Sequence, residues 1–148
     1  MKIVAEFSLL PNGQKYPHLA AINEDGSVCE SITLTLLDFV VELHPPAVFL
    51  FEELLENARN GKYVPANPAL ADFSVNEKLV WVRPLDLQRG ELRISNENTF
   101  EYSVDTGEPQ SFSIEFFYSV RRHWEEFLRL VKEEGDQKWL GEKLELNV

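Results

Sequence analysis

Between Ser111 and Gly135 the chain reads SFSIEFFYSVRRHWEEFLRLVKEEG, and within it the apolar period changes from that of a strand to that of a helix. Phe112, Ile114, Phe116 and Tyr118 alternate with Ser113, Glu115 and Phe117, which predicts a half-buried strand over 111–118. From Ser119 onward, Val120, Trp124, Phe127, Leu128 and Val131 form one apolar stripe. The other face carries Arg121/Glu125, Arg122/Glu126 and Arg129/Glu133 at the spacing of helical ion pairs, and His123 falls beside the stripe toward solvent. Gly135 supplies the left-handed residue that ends such a helix. A strand feeding a long amphipathic helix restricts the chain to folds that mix sheet and helix.

The rest of the chain fills in that expectation. Ile3, Ala5, Phe7 and Leu9 share one face of a first strand, and Pro11-Asn12-Gly13-Gln14 is a hairpin turn leading into a strand over Tyr16–Ile22. Asn23-Glu24-Asp25-Gly26 turns again, and Val28, Glu30, Ile32 and Leu34 predict a third strand, with Glu30 misplaced on its apolar side. Thr35 is placed to cap a short helix ending before Pro45-Pro46, with a continuing strand as the competing reading of this segment. Val48, Phe51, Leu55 and Ala58 give the next helix its stripe, with Glu52, Glu53 and Glu56 solvated and Gly61 at its end. Residues 62–72 read as a loop. Strands follow at Lys78–Arg83, around Leu92 and Ile94, and at Phe100–Val104, before the 111–118 strand. The tail, with Trp139, Leu140, Leu144 and Leu146, is open to two readings, a short final strand or irregular packing.

The expected fold is therefore α+β: an antiparallel sheet built from two meanders, with two principal helices packed on one face. The 148 residues are expected to form a single globular domain, since either half alone would bury too little surface. The one cysteine, Cys29, has no intramolecular partner, which favours a reducing compartment, and it is expected as a small buried hydrophobe. No stretch has the length and apolarity of a membrane span or the form of a signal peptide, so a cytoplasmic location is expected.

No catalytic motif stands out. The chain lacks a glycine-rich phosphate loop, a nucleophile elbow, a zinc-protease helix and a calcium loop. His18, His44 and His123 are too scattered to read as metal ligands, so no catalytic, cofactor or metal residue is assigned. Ser119 and His123 share a helix face, an ordinary coincidence rather than a nucleophile and its base.

Charge is the remaining guide. The formal net charge is −11, and residues 1–60 alone hold three basic against nine acidic groups. Such a field repels nucleic-acid phosphates and steers basic partners. The second meander concentrates the carboxylates: one face or its rim is expected to carry Glu97, Glu101, Asp105, Glu108 and Glu115 around an exposed Phe117. These six are the expected partner-binding residues. The expectation is a protein-binding domain, most sharply an inhibitor of the immunity-protein or antitoxin type that neutralises a basic toxin or enzyme. The alternatives are a small enzyme whose site shows no motif and a structural or oligomer-forming subunit.

Overall fold

The computed structural model describes residues 1–62, 71–75, 78–82, 86–87, 89–95 and 110–148. The fold is α+β, with two antiparallel sheets and several helices. Contacts divide the chain into two compact units, one of Met1–Val41 with Tyr118–Val148 and one of Glu42–Phe117.

In the first unit β1 (Lys2–Leu9) and β2 (Lys15–Ile22) form the expected hairpin, with Gly13 at φ 83° in the turn. The third strand of the expected meander does not form. After a single bridge between Ile22 and Val28 the backbone turns into α1 (Glu30–Ile32), a π-helical turn (Thr33–Leu37) and α2 (Asp38–Glu42). Helix resolves the conflict at Glu30, which would have faced a core as a strand residue and instead sits exposed in a first helical turn. The same segment caps the edge of β2. The Cys29 N–H donates to the Ala21 carbonyl at 2.7 Å, and the Ala21 N–H donates to Thr33 Oγ1 at 3.0 Å.

The other side of β1 is taken by β7 (Lys143–Asn147), giving the order β2-β1-β7. The register places Ile3, Ala5, Phe7, Leu19, Ala21 and Leu144 on one face, and Lys2, Glu6, His18 and Lys143 on the other. On the apolar face Phe7 meets Phe127 at 5.7 Å between ring centroids, and Phe127 stacks on Trp124 and meets Trp139 edge-on.

Phe127 and Trp124 belong to α4 (Ile114–Glu134), which begins five residues before Ser119, where the spacing had placed its start. The preceding strand shrinks to β6 (Gln110–Ser113). Ser113 explains the switch. Its Oγ accepts the Phe116 N–H at 3.0 Å, satisfying one of the donors that a helix leaves open at its start, and Glu115 complements the first-turn dipole. The buried stripe then runs Ile114, Phe117, Val120, His123, Trp124 and Phe127, while Leu128 is 38% exposed. His123 is thus buried rather than solvent-facing. The Arg121–Glu125 and Arg129–Glu133 pairs form, but Glu126 is held by Arg129 and Arg122 reaches Ser119 instead. Past Gly135 the chain makes α5 (Asp136–Trp139), whose indole donates to Glu134 Oε2.

The second unit is a genuine meander, β3 (Ala71–Val75), β4 (Lys78–Val82), β5 (Glu91–Ser95) and β6 in consecutive order. Strand β3 takes the end of the expected 62–72 loop, and the expected strand over Phe100–Val104 lies outside the described residues. Val80, Val82, Leu92, Ile94 and Phe112 are buried, and the register puts them on one face. Helix α3 (Ala47–Arg59) has the stripe its sequence predicts, with Val48, Phe51, Leu55 and Ala58 buried. Two meanders are therefore replaced by one meander and one hairpin flanked by a C-terminal strand.

Candidate interaction surface on helix α3

Four of the six expected partner-binding residues, Glu97, Glu101, Asp105 and Glu108, lie outside the described residues. The other two part company. Glu115 is exposed in the first turn of α4, whereas Phe117, expected as an exposed anchor, is fully buried. The cause is the helix itself. On a strand, Phe117 opposes Phe116 and Tyr118; on a helix it follows Ile114 by three residues and precedes Val120 by three, so it joins the buried stripe. Its ring meets Phe51 at 5.5 Å, edge to face.

Exposed apolar surface in this unit lies elsewhere, on α3. Phe49 is 66% and Leu50 58% exposed, although both are large enough that a helix of a compact unit ordinarily turns one of them inward. They cannot both turn, because Val48 and Phe51 already claim the inward side on either flank. Pro45 and Pro46, also exposed, adjoin them at the helix start. One turn further along the same side come Glu53 and then Glu56, both exposed, with Glu56 accepting from Asn60 Nδ2 at 3.1 Å. Helical spacing sets Glu53 one turn from Phe49 and Glu56 a further turn along. The result is an apolar end followed by a carboxylate row on one helix face. The sequence contained this signal: Phe49 and Leu50 fall outside the stripe of the helix, and a pair of large apolar residues off-stripe is the anomaly to look for.

A second cluster sits on the polar face of the first sheet. Glu6 accepts from Lys143 Nζ at 3.0 Å and lies 3.5 Å from His18 Nε2, while Ser8 Oγ and His18 Nδ1 are 3.2 Å apart. Tyr16 flanks the imidazole at 5.5 Å. Neighbouring strands bring these side chains together through register, Glu6 opposite His18 and Ser8 opposite Tyr16, a relation that sequence spacing does not display. At the far end of this face, Met1, Lys2, Ile22, Asn23, Glu24 and Asn147 line a shallow cavity of about 290 Å³.

Cys29 is half-exposed rather than buried, 3.5 Å from Ser31 Oγ, and hydrogen bonding to that hydroxyl draws its thiol below the ordinary cysteine range. No group of three or more His, Cys, Asp or Glu among the described residues is arranged to hold a metal ion. No single helix among the described residues is long and apolar enough to cross a membrane. No family model matches the chain, and neither the curated proteins nor the solved structures contain a match to it.

Proposed function

We propose that this chain is a protein-binding module whose partner is basic, and that in its sharpest form it is a cytoplasmic inhibitor of the immunity-protein or antitoxin kind. The observation that carries the reading is the α3 face, where Phe49 and Leu50 stand exposed beside Glu53 and Glu56. An apolar anchor beside carboxylates is the composition of an interface centre with a charged rim. Burying the two side chains supplies affinity. The carboxylates, backed by a net charge of −11, select a basic surface and speed its encounter. An inhibitor of a phosphate-handling enzyme has use for both, since carboxylates can take the place of phosphates against its lysines and arginines. The single cysteine is in keeping with a cytoplasmic setting.

The test compares wild type with the Phe49→Ser/Leu50→Ser variant as bait in parallel captures. A basic protein retained by wild type, lost by the variant, and associating more slowly as salt is raised supports the proposal. Equal retention by both baits removes α3 as the surface, and an association rate indifferent to salt removes the electrostatic part.

One observation favours a second reading, a hydrolase: the Ser8–His18–Glu6 chain orders a hydroxyl, an imidazole and a carboxylate in sequence. In that role Ser8 Oγ would bond to an acyl carbon while its proton passes to His18 Nδ1. The proton would then leave with the alcohol before water releases the acyl group. Hydrolysis of p-nitrophenyl acetate by wild type but not by Ser8→Ala is the expected result; equal rates dismiss it.

A further inference from the structure

Among the described residues the order β2-β1-β7 leaves β7 paired on one side. Which of its backbone groups face outward follows from the hydrogen bonds of its neighbours. Ala21, opposite Ile3, turns its N–H and C=O away from β1, toward Thr33 and Cys29. Backbone groups alternate sides along a strand, so Ile3 and Ala5 direct theirs at β7. Their partners Leu146 and Leu144 therefore bond inward, as does Val148, whose N–H donates to the Met1 carbonyl at 3.3 Å. The N–H and C=O groups of Lys143, Glu145 and Asn147 point the other way, and among the described residues no backbone hydrogen bond from another element meets them. The side chains along this rim are only partly covered: Leu144 and Leu146 are half-buried, and Lys143, Glu145 and Asn147 are exposed.

We propose that this edge pairs with the β7 edge of a second copy of the chain, antiparallel about a two-fold axis through Leu144. The sequence Lys143-Leu144-Glu145 is self-complementary in that register. Lys143 faces Glu145 of the second copy, Glu145 faces its Lys143, and the two Leu144 side chains meet on the apolar face. Lys143 and Glu145 are the outward-bonding residues, so each of the two pairs exchanges both of its N–H···O bonds, and Leu144 occupies the closer, non-bonded position. Other registers lack this fit. An axis at Glu145 sets two carboxylates directly against each other, and an axis at Leu146 leaves Lys143 without a facing residue in the strand. The product is a continuous six-stranded sheet in which the half-buried leucines at each rim become interior. The intrachain bridges of Lys143 to Glu6 and Lys2 to Glu145 already hold these side chains upright on the polar face, which lowers the cost of ordering them at the seam.

The net charge of −11 on each copy opposes self-association at low ionic strength. The measurement is therefore made at or above physiological salt, where repulsion is screened beyond about 8 Å. Sedimentation of the full chain over a rising concentration series should show a monomer–dimer equilibrium. Lys143→Glu alone and Glu145→Lys alone should each be monomeric, while an equimolar mixture of the two variants regains the dimer, because their pairs are then opposite in sign at every position. A wild-type chain that stays monomeric throughout overturns the proposal, as do single variants that dimerise like wild type. Amide exchange on the unmodified chain gives an independent reading that no folding defect can blur. Lys143 and Glu145 amides should slow as concentration rises while those of Leu144 and Leu146, already bonded to β1, stay constant. Exchange independent of concentration at Lys143 and Glu145 likewise overturns it.

Discussion

Phe117 lies edge-on to Phe51, with ring centroids 5.5 Å apart and planes inclined at 72°, and both rings are fully buried. Edge-to-face geometry sets the positive rim of one ring against the negative face of the other. The pair joins the first turn of α4 to α3 inside the second unit, so a side chain whose alternation suggested an outer surface is a core contact.

Phe117→Ala should therefore destabilise the protein by about 3–5 kcal/mol, the range for large buried aromatics. A double-mutant cycle with Phe51→Ala should return a coupling of about 0.5–1.5 kcal/mol. Chemical denaturation measures both, and a loss below about 1 kcal/mol for Phe117→Ala would place the ring at the surface after all.

Substitution on α3 should behave in the opposite way. Phe49→Ser/Leu50→Ser removes two exposed side chains and should shift stability by no more than about 1 kcal/mol, while abolishing capture of the basic partner. A cooperative melt near that of wild type, measured by circular dichroism, is the control that gives the binding result its meaning.

Helix α4 carries its own internal comparison. Trp124 is 5% exposed and stacks on Phe127, whereas Leu128 is 38% exposed one residue beyond. Trp124→Ala should cost about 3–5 kcal/mol and Leu128→Ala less than about 1.5 kcal/mol. Similar urea midpoints for the two variants would show that the stripe had been drawn through the wrong residues.

His123 makes stability depend on pH. Its Nε2 lies 3.1 Å from the Leu144 carbonyl, which can only accept, so the hydrogen is on Nε2. Burial pulls the imidazole below its ordinary value of 6.5, outweighing the hydrogen bond, which acts the other way. A histidine depressed in the folded state binds protons more readily once unfolded. Its contribution is complete above about pH 6.5 and declines as pH falls toward the lower folded value, with a slope of at most about 1.4 kcal/mol per pH unit. Wild type should lose stability as pH falls below about 6.5 relative to His123→Gln, which keeps an N–H for Leu144 and has nothing to titrate. Parallel pH profiles for the two proteins would rule out this histidine as the source.

Local signals carried much of this fold. The Asn12-Gly13 turn, the α3 stripe and the second half of α4 depend on spacing and turn chemistry, and the structure has all three. Sequence pattern and structure part where two periods compete over a few residues. From Ile114 to Tyr118 nearly every residue is apolar or aromatic, so alternation and helical spacing both fit, and the decision fell to a single hydroxyl, Ser113, acting as a cap. Residues 28–34 had the alternation of a strand, but beside β2 only the Ile22–Val28 bridge forms, and the Ala21 N–H and carbonyl at that edge are met by Thr33 Oγ1 and the Cys29 N–H instead of by a ladder. Thr35 Oγ1 bonds back to the Ser31 carbonyl. The Glu6–His18–Ser8 cluster was invisible because register across strands, not distance along the chain, assembles it.

Lys2 pairs with Asn147 across the first sheet, and Lys2 Nζ reaches Glu145 at 2.6 Å. Seen from the ribosome, β1 and its hairpin partner emerge first, but the backbone groups that Ile3 and Ala5 direct at β7 wait for a strand made more than a hundred residues later. During that interval the open side of β1 is a template for the wrong neighbour. Contacts of such long sequence separation also make completion of this unit slow relative to local helix formation. Quality control should accordingly weigh most heavily on chains whose β7 has yet to emerge, with the sheet one strand short.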